Sequence, residues 1–310
     1  MVLNVVAAEL AAGFRRDDRW NRASRGAGRP ATFPGLMETF LLHSVQRPMS
    51  MIVAKNTIGQ SKMGVQYENA PITEALIDIR VEPLPSSNIR DLDAIHELVK
   101  DRYPDKHATV HWQGQFSLGT EVGAVAHQAP TGFVFRSSDK KQHFQARLDG
   151  FTLSRLRPYG NWLELRDQAR ELWGAYRAAI GPKKIIRVAV RYINQIDIPL
   201  DQLDYKDYFL TTPEVSPLLP QELSGFFMQL QLPQMDFGGL LVLTQSSVIP
   251  SVPGVSSVIL DLDVFKEDPG FSSDDEVWAM LEVLRDRKNV FFEGCLTDKT
   301  RALFGERRVY

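Results

Sequence analysis

The chain has 310 residues, 44% of them hydrophobic, which is enough to bury one large core or two smaller ones. Its formal net charge of −2 gives no overall attraction to nucleic acid or to an anionic membrane. A single cysteine, Cys295, excludes a disulfide within the chain. Together with the lack of any apolar run long enough to span a membrane, it predicts a soluble protein of the reducing cytoplasm.

Residues 1–62 differ in composition from the rest of the chain, being rich in alanine, glycine and arginine. Three interpretations fit them: a secretory signal, a basic arm that contacts nucleic acid or a partner, or a mis-annotated leader outside the native protein. We favour the third, with translation starting at Met63 (Met51 is the alternative), because residues 63–67 lead directly into residues 68–75, the first of three segments that resemble a known family. We therefore expect residues 1–62 to be disordered or to make few contacts.

The first half of the remaining chain, residues 63–182, predicts a strand, a helix, four more strands and a long helix. Residues 72–82 alternate between apolar and charged side chains, as in a strand buried on one face. Asn88 and Asp91 predict the capped start of a helix. Asn161 caps the long helix in the same way. The four strands between these helices are predicted near residues 107–116, 132–136, 143–148 and 151–156.

The second half, residues 183–310, repeats this order of elements. A long strand over 184–198 precedes a short helix near 205–210, and Ser273 with Glu276 predicts the start of the last long helix. The strands between these helices are predicted near residues 226–232, 239–246 and 257–265.

The repeated order predicts an α+β fold in which an internal duplication of a strand–helix–strands–helix unit forms one globular body. We expect an antiparallel sheet with the helices on one side. Two alternatives stay open, namely a single α+β barrel and two sheets divided between the halves.

Three segments carry a resemblance to a known family: residues 68–75 (ENAPITEA), 157–162 (RPYGNW) and 187–194 (RVAVRYIN). Together they resemble a family of uncharacterised bacterial proteins that is distributed sporadically among species. The resemblance extends over about residues 66–305 and implies membership without implying an activity, so no residue inherits a catalytic role from it. The patchy distribution implies a mobile accessory gene, such as a defence or toxin-neutralising module.

The polar sides of the predicted strands carry arginines and carboxylates in alternation. If the strands join in one sheet, these side chains share one face, and they are Asp78, Arg80, Arg147, Arg187, Arg191, Asp261 and Asp263. One interpretation is a surface that binds phosphate or carboxylate groups through the arginines. The other, which we favour, is a polar sheet face with cross-strand ion pairs.

Two pairs of residues have side chains that could bind a metal ion. Asp261 and Asp263 project to the same side of a strand, as do the metal-binding carboxylates of nucleotidyltransferases, but the glycine-serine turn and helix that precede such a pair do not fit before them. His107 and His111 are four residues apart in a predicted strand, where they are too far apart to share a metal. We therefore predict no metal and no cofactor, with the aspartate pair as the weaker alternative.

Three other polar or aromatic residues are ambiguous. Tyr159 and Trp162 flank the turn into the long helix, either as a clamp for a ligand or as a hydrophobic staple, and we favour the staple. Asn194 lies on the apolar side of its strand, where an unpaired amide costs about 1–3 kcal/mol. We expect it to form a structural hydrogen bond to a neighbouring turn.

The sequence contains no recognisable catalytic constellation, and the mixed-charge face suits a protein partner. We therefore predict a non-enzymatic binding module of the bacterial cytoplasm, with neither nucleic acid nor membrane as its target. The alternative is an enzyme or sensor that binds a nucleotide or phosphorylated small molecule through Arg147, Arg187 and Arg191, with Asp261 and Asp263 for a metal. The partner's identity and the oligomeric state do not follow from the sequence.

Overall fold

The structure is a computed structural model that describes residues 65–118, 122–182, 184–200, 203–305 and 307–309. The expectation that residues 1–62 are disordered or make few contacts therefore lies outside the described residues.

The described residues form eleven strands and five helices, with several strands between successive long helices. The strands are β1 (Val65–Tyr67), β2 (Ile72–Val81), β3 (Asp105–Leu118), β4 (Val122–Arg136), β5 (Gln142–Arg147), β6 (Gly150–Leu156), β7 (Ile185–Pro199), β8 (Phe227–Gln234), β9 (Gly239–Val248), β10 (Val255–Glu267) and β11 (Arg307–Val309). The helices are α1 (Ile89–Val99), α2 (Trp162–Ile180), α3 (Tyr205–Tyr208), α4 (Asp274–Cys295) and α5 (Asp298–Leu303).

Nine of these strands form one antiparallel sheet in the order β3-β4-β5-β6-β2-β7-β10-β9-β8. Strands β1 and β11 form a separate two-stranded sheet. Helices α1, α2 and α4 pack against the large sheet, and their apolar side chains join those of the strands in one core. The predicted α+β class is confirmed, with the strands of both halves in a single sheet.

Strands β2 and β7, the first strand that each half contributes to the large sheet, meet at its centre. In each half the remaining strands run from an outer edge back toward this centre. The halves differ in detail, because α1 has 11 residues and its counterpart α3 has 4. The internal duplication stays a prediction.

The predicted helix starts agree with the caps in the structure. Asn88 and Ser273 each form a complete capping box, with Asp91 and Glu276 respectively. At the start of α2 the side chain of Asn161 accepts a hydrogen bond from the backbone N–H of Glu164, as in a capping box. The Glu164 carboxylate, however, accepts from the side-chain amide of Asn161 and not from its backbone N–H, so the box is incomplete. These caps satisfy backbone groups that have no partner within the helix.

The hairpin of β3 and β4 is longer than the sequence pattern predicts. That pattern indicates only residues 132–136 for the second strand, but β4 begins at Val122 and pairs with β3 along its length. Residues 122–131 lack clear alternation, so their strand conformation depends on pairing with β3. Thr109 pairs with Gly132 and Val110 pairs with Pro130, so the register shifts between them and leaves Thr131 as the extra residue of a bulge.

Aromatic side chains connect the sheet to the helices in the first half. The ring centres of Phe135 and Phe144 are 5.3 Å apart, as are those of Phe144 and Phe151, and Phe151 meets Trp173 of α2 edge-on at 5.8 Å. All four residues are buried. Each such side chain stabilises the fold by about 1.5–3 kcal/mol through burial, so this row anchors α2 to the sheet.

We expect Gly132→Ala to destabilise the protein by about 1–3 kcal/mol, the usual effect of overpacking. A Cβ at this position of β4 would lie 2.3 Å from the carbonyl oxygen of Ala146 and 2.8 Å from the Cα of Arg147, which are backbone atoms of β5. Gly174→Ala in α2 is the matched control, because a Cβ there meets no atom within 4 Å. Gly174→Ala should stabilise the protein by about 0.5–1 kcal/mol, because alanine has a higher helix propensity than glycine. Urea unfolding measures both, and equal stabilities of the two variants would contradict the packing of β4 against β5.

Candidate functional site

The predicted arginines and aspartates do share one side of the sheet, opposite the helices. We call this the charged face, and its members are Asp78, Arg80, Arg147, Asp149, Arg187, Arg191, Asp261 and Asp263. Strand alternation places them together, because their apolar neighbours on β2, β7 and β10 point into the core.

Asp78 is the centre of the charged face. Its carboxylate accepts hydrogen bonds from Arg80 at 3.0 Å, Arg147 at 3.2 Å and Arg187 at 3.0 Å. The hydroxyl of Thr152, directly opposite on β6, donates a further hydrogen bond at 2.6 Å. Burial alone would raise the pKa of Asp78, but the three arginines and this hydroxyl lower it below its ordinary value.

The remaining charges of the face are paired as well. Arg187 donates to Asp263 at 2.8 Å, and its guanidinium lies 4.1 Å from the centre of the Phe265 ring. Arg191 donates from Nε to Asp261, also at 2.8 Å. Burial raises the pKa of Asp263, although Arg187 and Arg191 act in the opposite direction.

This pairing limits what the charged face can bind. Each of its arginines contacts an aspartate, so binding a phosphate or carboxylate would first require breaking an ion pair. Asp261 and Asp263 likewise face guanidinium groups. Within the described part of the chain, no group of three or more histidine, cysteine or acidic side chains could hold a metal ion.

The other predicted site residues lie on the helix side of the sheet, so the predicted set is divided between two faces. The hydroxyls of Tyr159 and Tyr192 are 2.7 Å apart, and the Trp162 indole N–H donates to Glu282 of α4 at 2.8 Å. Trp162 thus joins the start of α2 to α4, and Tyr159 joins the turn before α2 to Tyr192 of β7. Asn194 donates to the carbonyl of Leu260 on β10 at 3.0 Å, so its structural partner is an adjacent strand rather than the turn that the sequence suggested.

Lys288 is a polar residue of this region that the sequence pattern did not single out. It is 8% exposed, and its ammonium lies 3.6 Å from the centre of the Tyr192 ring. Among the described residues it has no acidic partner within ion-pair distance. The signal was present in the sequence, because Lys288 continues the apolar stripe of Leu281 and Leu284 at helical spacing.

Comparisons with known proteins add no identity to this geometry. A scan against models of protein families finds no match, and a search among curated proteins finds no similar sequence. The resemblance to a sporadically distributed bacterial family therefore stays a prediction. In the described residues, no helix is both long enough and apolar enough to span a membrane.

We expect Asp78→Asn to destabilise the protein by about 3–5 kcal/mol, because it removes the common acceptor charge of three guanidinium groups. Those of Arg147 and Arg187 are largely buried, and that of Arg80 is 36% exposed. Asp149→Asn is the control, since Asp149 pairs with Arg80 and Arg147 but its side chain is 50% exposed. Asp149→Asn should lower the free energy of unfolding by less than about 1 kcal/mol. Urea unfolding at neutral pH measures both values, and a cost for Asp78→Asn no larger than the control would show that the network does not support the fold.

We expect Lys288→Met to stabilise the protein by roughly 2–4 kcal/mol near pH 6, with a smaller gain at pH 9. Burial, with Arg285 as the second cause, lowers the pKa of Lys288 from 10.5 to about 7. The unfolded chain therefore binds a proton that the folded protein releases between these values, and the wild type gains stability as pH rises through that range. One pKa unit corresponds to about 1.4 kcal/mol, and the lost cation–π contact offsets part of the gain.

Unfolding by urea at both pH values measures this difference against Lys100→Met, whose lysine is exposed and paired with Glu97. The control should leave the stability nearly unchanged at either pH, because solvent screens an exposed ion pair. A pH-independent effect of Lys288→Met would mean that the amine keeps its ordinary pKa.

Proposed function

We propose that the protein is a non-enzymatic binding module that recognises a protein partner by adding a strand to the free edge of β8. The observation that carries this proposal is an edge strand with no charged residue. Strand β8 ends the sheet among the described residues, and its sequence is FMQLQLPQ. Edge strands ordinarily carry charges, prolines or distortions that prevent pairing with other chains. In β8 the single such device is Pro233, near the end of the strand, so the uncharged stretch before it indicates a strand that is covered in the working state.

The backbone of β8 supports strand addition. The carbonyl of Phe226 accepts a hydrogen bond from the N–H of Ser247, which fixes the alternation of the β8–β9 ladder. It follows that Phe227, Gln229 and Gln231 direct their backbone groups away from β9. Pro233 shares this outward side, where its missing N–H disturbs no bond to β9. These outward groups are the donors and acceptors that an added strand uses.

Apolar side chains flank this edge. Phe227 is 51% exposed and Met235, in the turn after β8, is 77% exposed. Leu232, on the helix side of β8, is also exposed. A strand added beside β8 would cover these side chains, and aromatic residues and methionine are enriched at protein interfaces.

The charged face supports a different role from the one that the alternative hypothesis requires. An enzyme or sensor for a nucleotide or phosphorylated small molecule would need arginines with free donors, whereas Arg147, Arg187 and Arg191 are bound to aspartates. We therefore assign the charged face to stability and the β8 edge to binding.

The proposed cellular location and biological role are based on the sequence. We propose a cytoplasmic location because the chain has a single cysteine, and burial raises the pKa of Cys295 to about 12, so its thiol is unreactive. The resemblance to a patchily distributed bacterial family supports an accessory role, such as defence or neutralisation of a toxin.

A charge on the edge tests the proposal. The double variant Gln229→Lys/Gln231→Lys places two ammonium groups on β8 and leaves the backbone hydrogen bonds to β9 in place. It removes the side-chain hydrogen bond from Gln229 to Thr244, so we expect it to remain folded, with a stability loss of about 1 kcal/mol, but to lose its partner. Leu98→Lys is the control, because Leu98 is an exposed residue of α1 away from this edge.

The measurement is capture of proteins from the native host by the full chain and by both variants, followed by sedimentation of each purified protein. A partner that binds the wild type and the control at equal strength, but binds the edge variant at least about tenfold more weakly, would support strand addition. A dimer of the wild type that the edge variant loses would identify the partner as a second copy. A partner retained equally by all three proteins would contradict the proposal.

A further inference from the structure

Helix α4 covers a cluster in which hydrogen-bond donors outnumber acceptors. Its members are Tyr159, Tyr192, Arg285 and Lys288, and we call it the donor cluster. It lies on the helix side of the sheet, so it is separate from the charged face and from the β8 edge.

Lys288 supplies the first free donor. The residue is more than nine-tenths buried, and its ammonium contacts the face of the Tyr192 ring instead of a carboxylate. No described residue forms a hydrogen bond or an ion pair with it. A ring face stabilises an ammonium group less than a counter-ion does, so this cation is incompletely compensated.

Arg285, one turn earlier on α4, supplies the second. Its Nε is buried and has no hydrogen-bond partner among the described residues. Its terminal nitrogens lie 2.7 Å from Asp286 and 3.7 Å from Glu282, so the outer part of the guanidinium is neutralised and the inner N–H is free. A buried guanidinium N–H without an acceptor is costly.

The tyrosine pair supplies the third. The hydroxyls of Tyr159 and Tyr192 are 2.7 Å apart, and either oxygen can be the donor. Each hydroxyl has one hydrogen, so one O–H is used within the pair and the other has no acceptor among the described residues. The cluster therefore presents an ammonium, a guanidinium N–H and a phenolic O–H. Glu282, its acidic neighbour on α4, is already engaged by Trp162, Arg166 and Arg285.

We propose that the donor cluster binds an oxyanion, the carboxylate or phosphate group of a small molecule, through Lys288, the Nε of Arg285 and the tyrosine pair. These are the groups that recognise oxyanions in proteins. Such a ligand supplies the acceptors and the negative charge that the cluster lacks. The sheet-face arginines, by contrast, have their acceptors within the chain.

The proposal has a pH dependence. Burial and the neighbouring Arg285 lower the pKa of Lys288, while Glu293 of α4 acts weakly in the opposite direction. Glu282 and Arg285 of α4 are the charged groups that act on the tyrosine pair from the same helix, and Arg155 and Glu164 also act on Tyr159. Binding of an anion raises the pKa of Lys288, so by linkage the anion binds more tightly at acidic pH.

Sulfate is a suitable probe because its charge stays constant from pH 6 to 9. The experiment compares three full-length proteins: the wild type, Lys288→Met and the exposed-lysine control Lys100→Met. Each is titrated with sodium sulfate and, as a reference, with sodium chloride of equal ionic strength. The readouts are the Tm and the heat of binding measured by calorimetry. Sulfate stabilises proteins generally by exclusion from their surface, so only the saturable part that differs between variants is counted. Sodium acetate, titrated in parallel, distinguishes a carboxylate site from a site for tetrahedral anions.

We expect saturable binding of sulfate or acetate to the wild type and to Lys100→Met, at least about tenfold weaker at pH 9 than at pH 6. Lys288→Met should lose it, and Arg285→Gln, a second variant on the more exposed side of the cluster, should weaken it. An equal response of the wild type and Lys288→Met, or no response of the wild type beyond that to chloride, would overturn the proposal. Lys288 would then be a packed lysine whose cost the fold tolerates.

Discussion

The sheet depends on how the charges at its centre are neutralised. Pairing of β2 with β7 joins the two halves, and its register places Arg80 directly opposite Arg187. Like charges in this position repel each other. Asp78 contacts both guanidinium groups and that of Arg147, and the residue opposite Asp78 on β7 is Ala189, which is small enough to leave room for them. The register of β2 against β7 therefore requires an aspartate at position 78, since without it the two opposite arginines would repel each other.

This constraint separates structural from functional groups. The arginines that resemble a ligand site in the sequence are engaged by aspartates, and they hold the central strands together. In the described residues, groups without partners lie elsewhere: the outward backbone of β8, the donors beneath α4 around Lys288, and the buried side-chain nitrogens of His96 on α1 and Gln245 on β9. The charges of the central face are therefore paired with each other, whereas the described groups best able to take a partner or a ligand lie at the β8 edge and under α4. We base both functional proposals on these unsatisfied groups.

Local features of the sequence predicted much of this architecture. Alternation located β2, and Asn88, Asn161 and Ser273 located the helix starts, because caps and alternation act over a few residues. The sequence also placed Asp78 and Arg187 on one face. It could not show which charges pair, or that Asn194 reaches a strand carbonyl, because these contacts depend on the order of strands in the sheet. The extent of β4 was missed for the same reason, since only its pairing with β3 defines it.

The most direct test of the account is a double-mutant cycle between Asp78 and Arg187, using Asp78→Asn, Arg187→Gln and the double variant. The free energy of unfolding of each protein is measured in urea without added ligand. We predict a coupling energy above about 1 kcal/mol between the two positions, because contacting members of a buried ion-pair network are not additive. A coupling near zero, with stability unchanged in Arg187→Gln, would contradict a structural role for the charged face. It would mean instead that its arginines are free to bind a ligand.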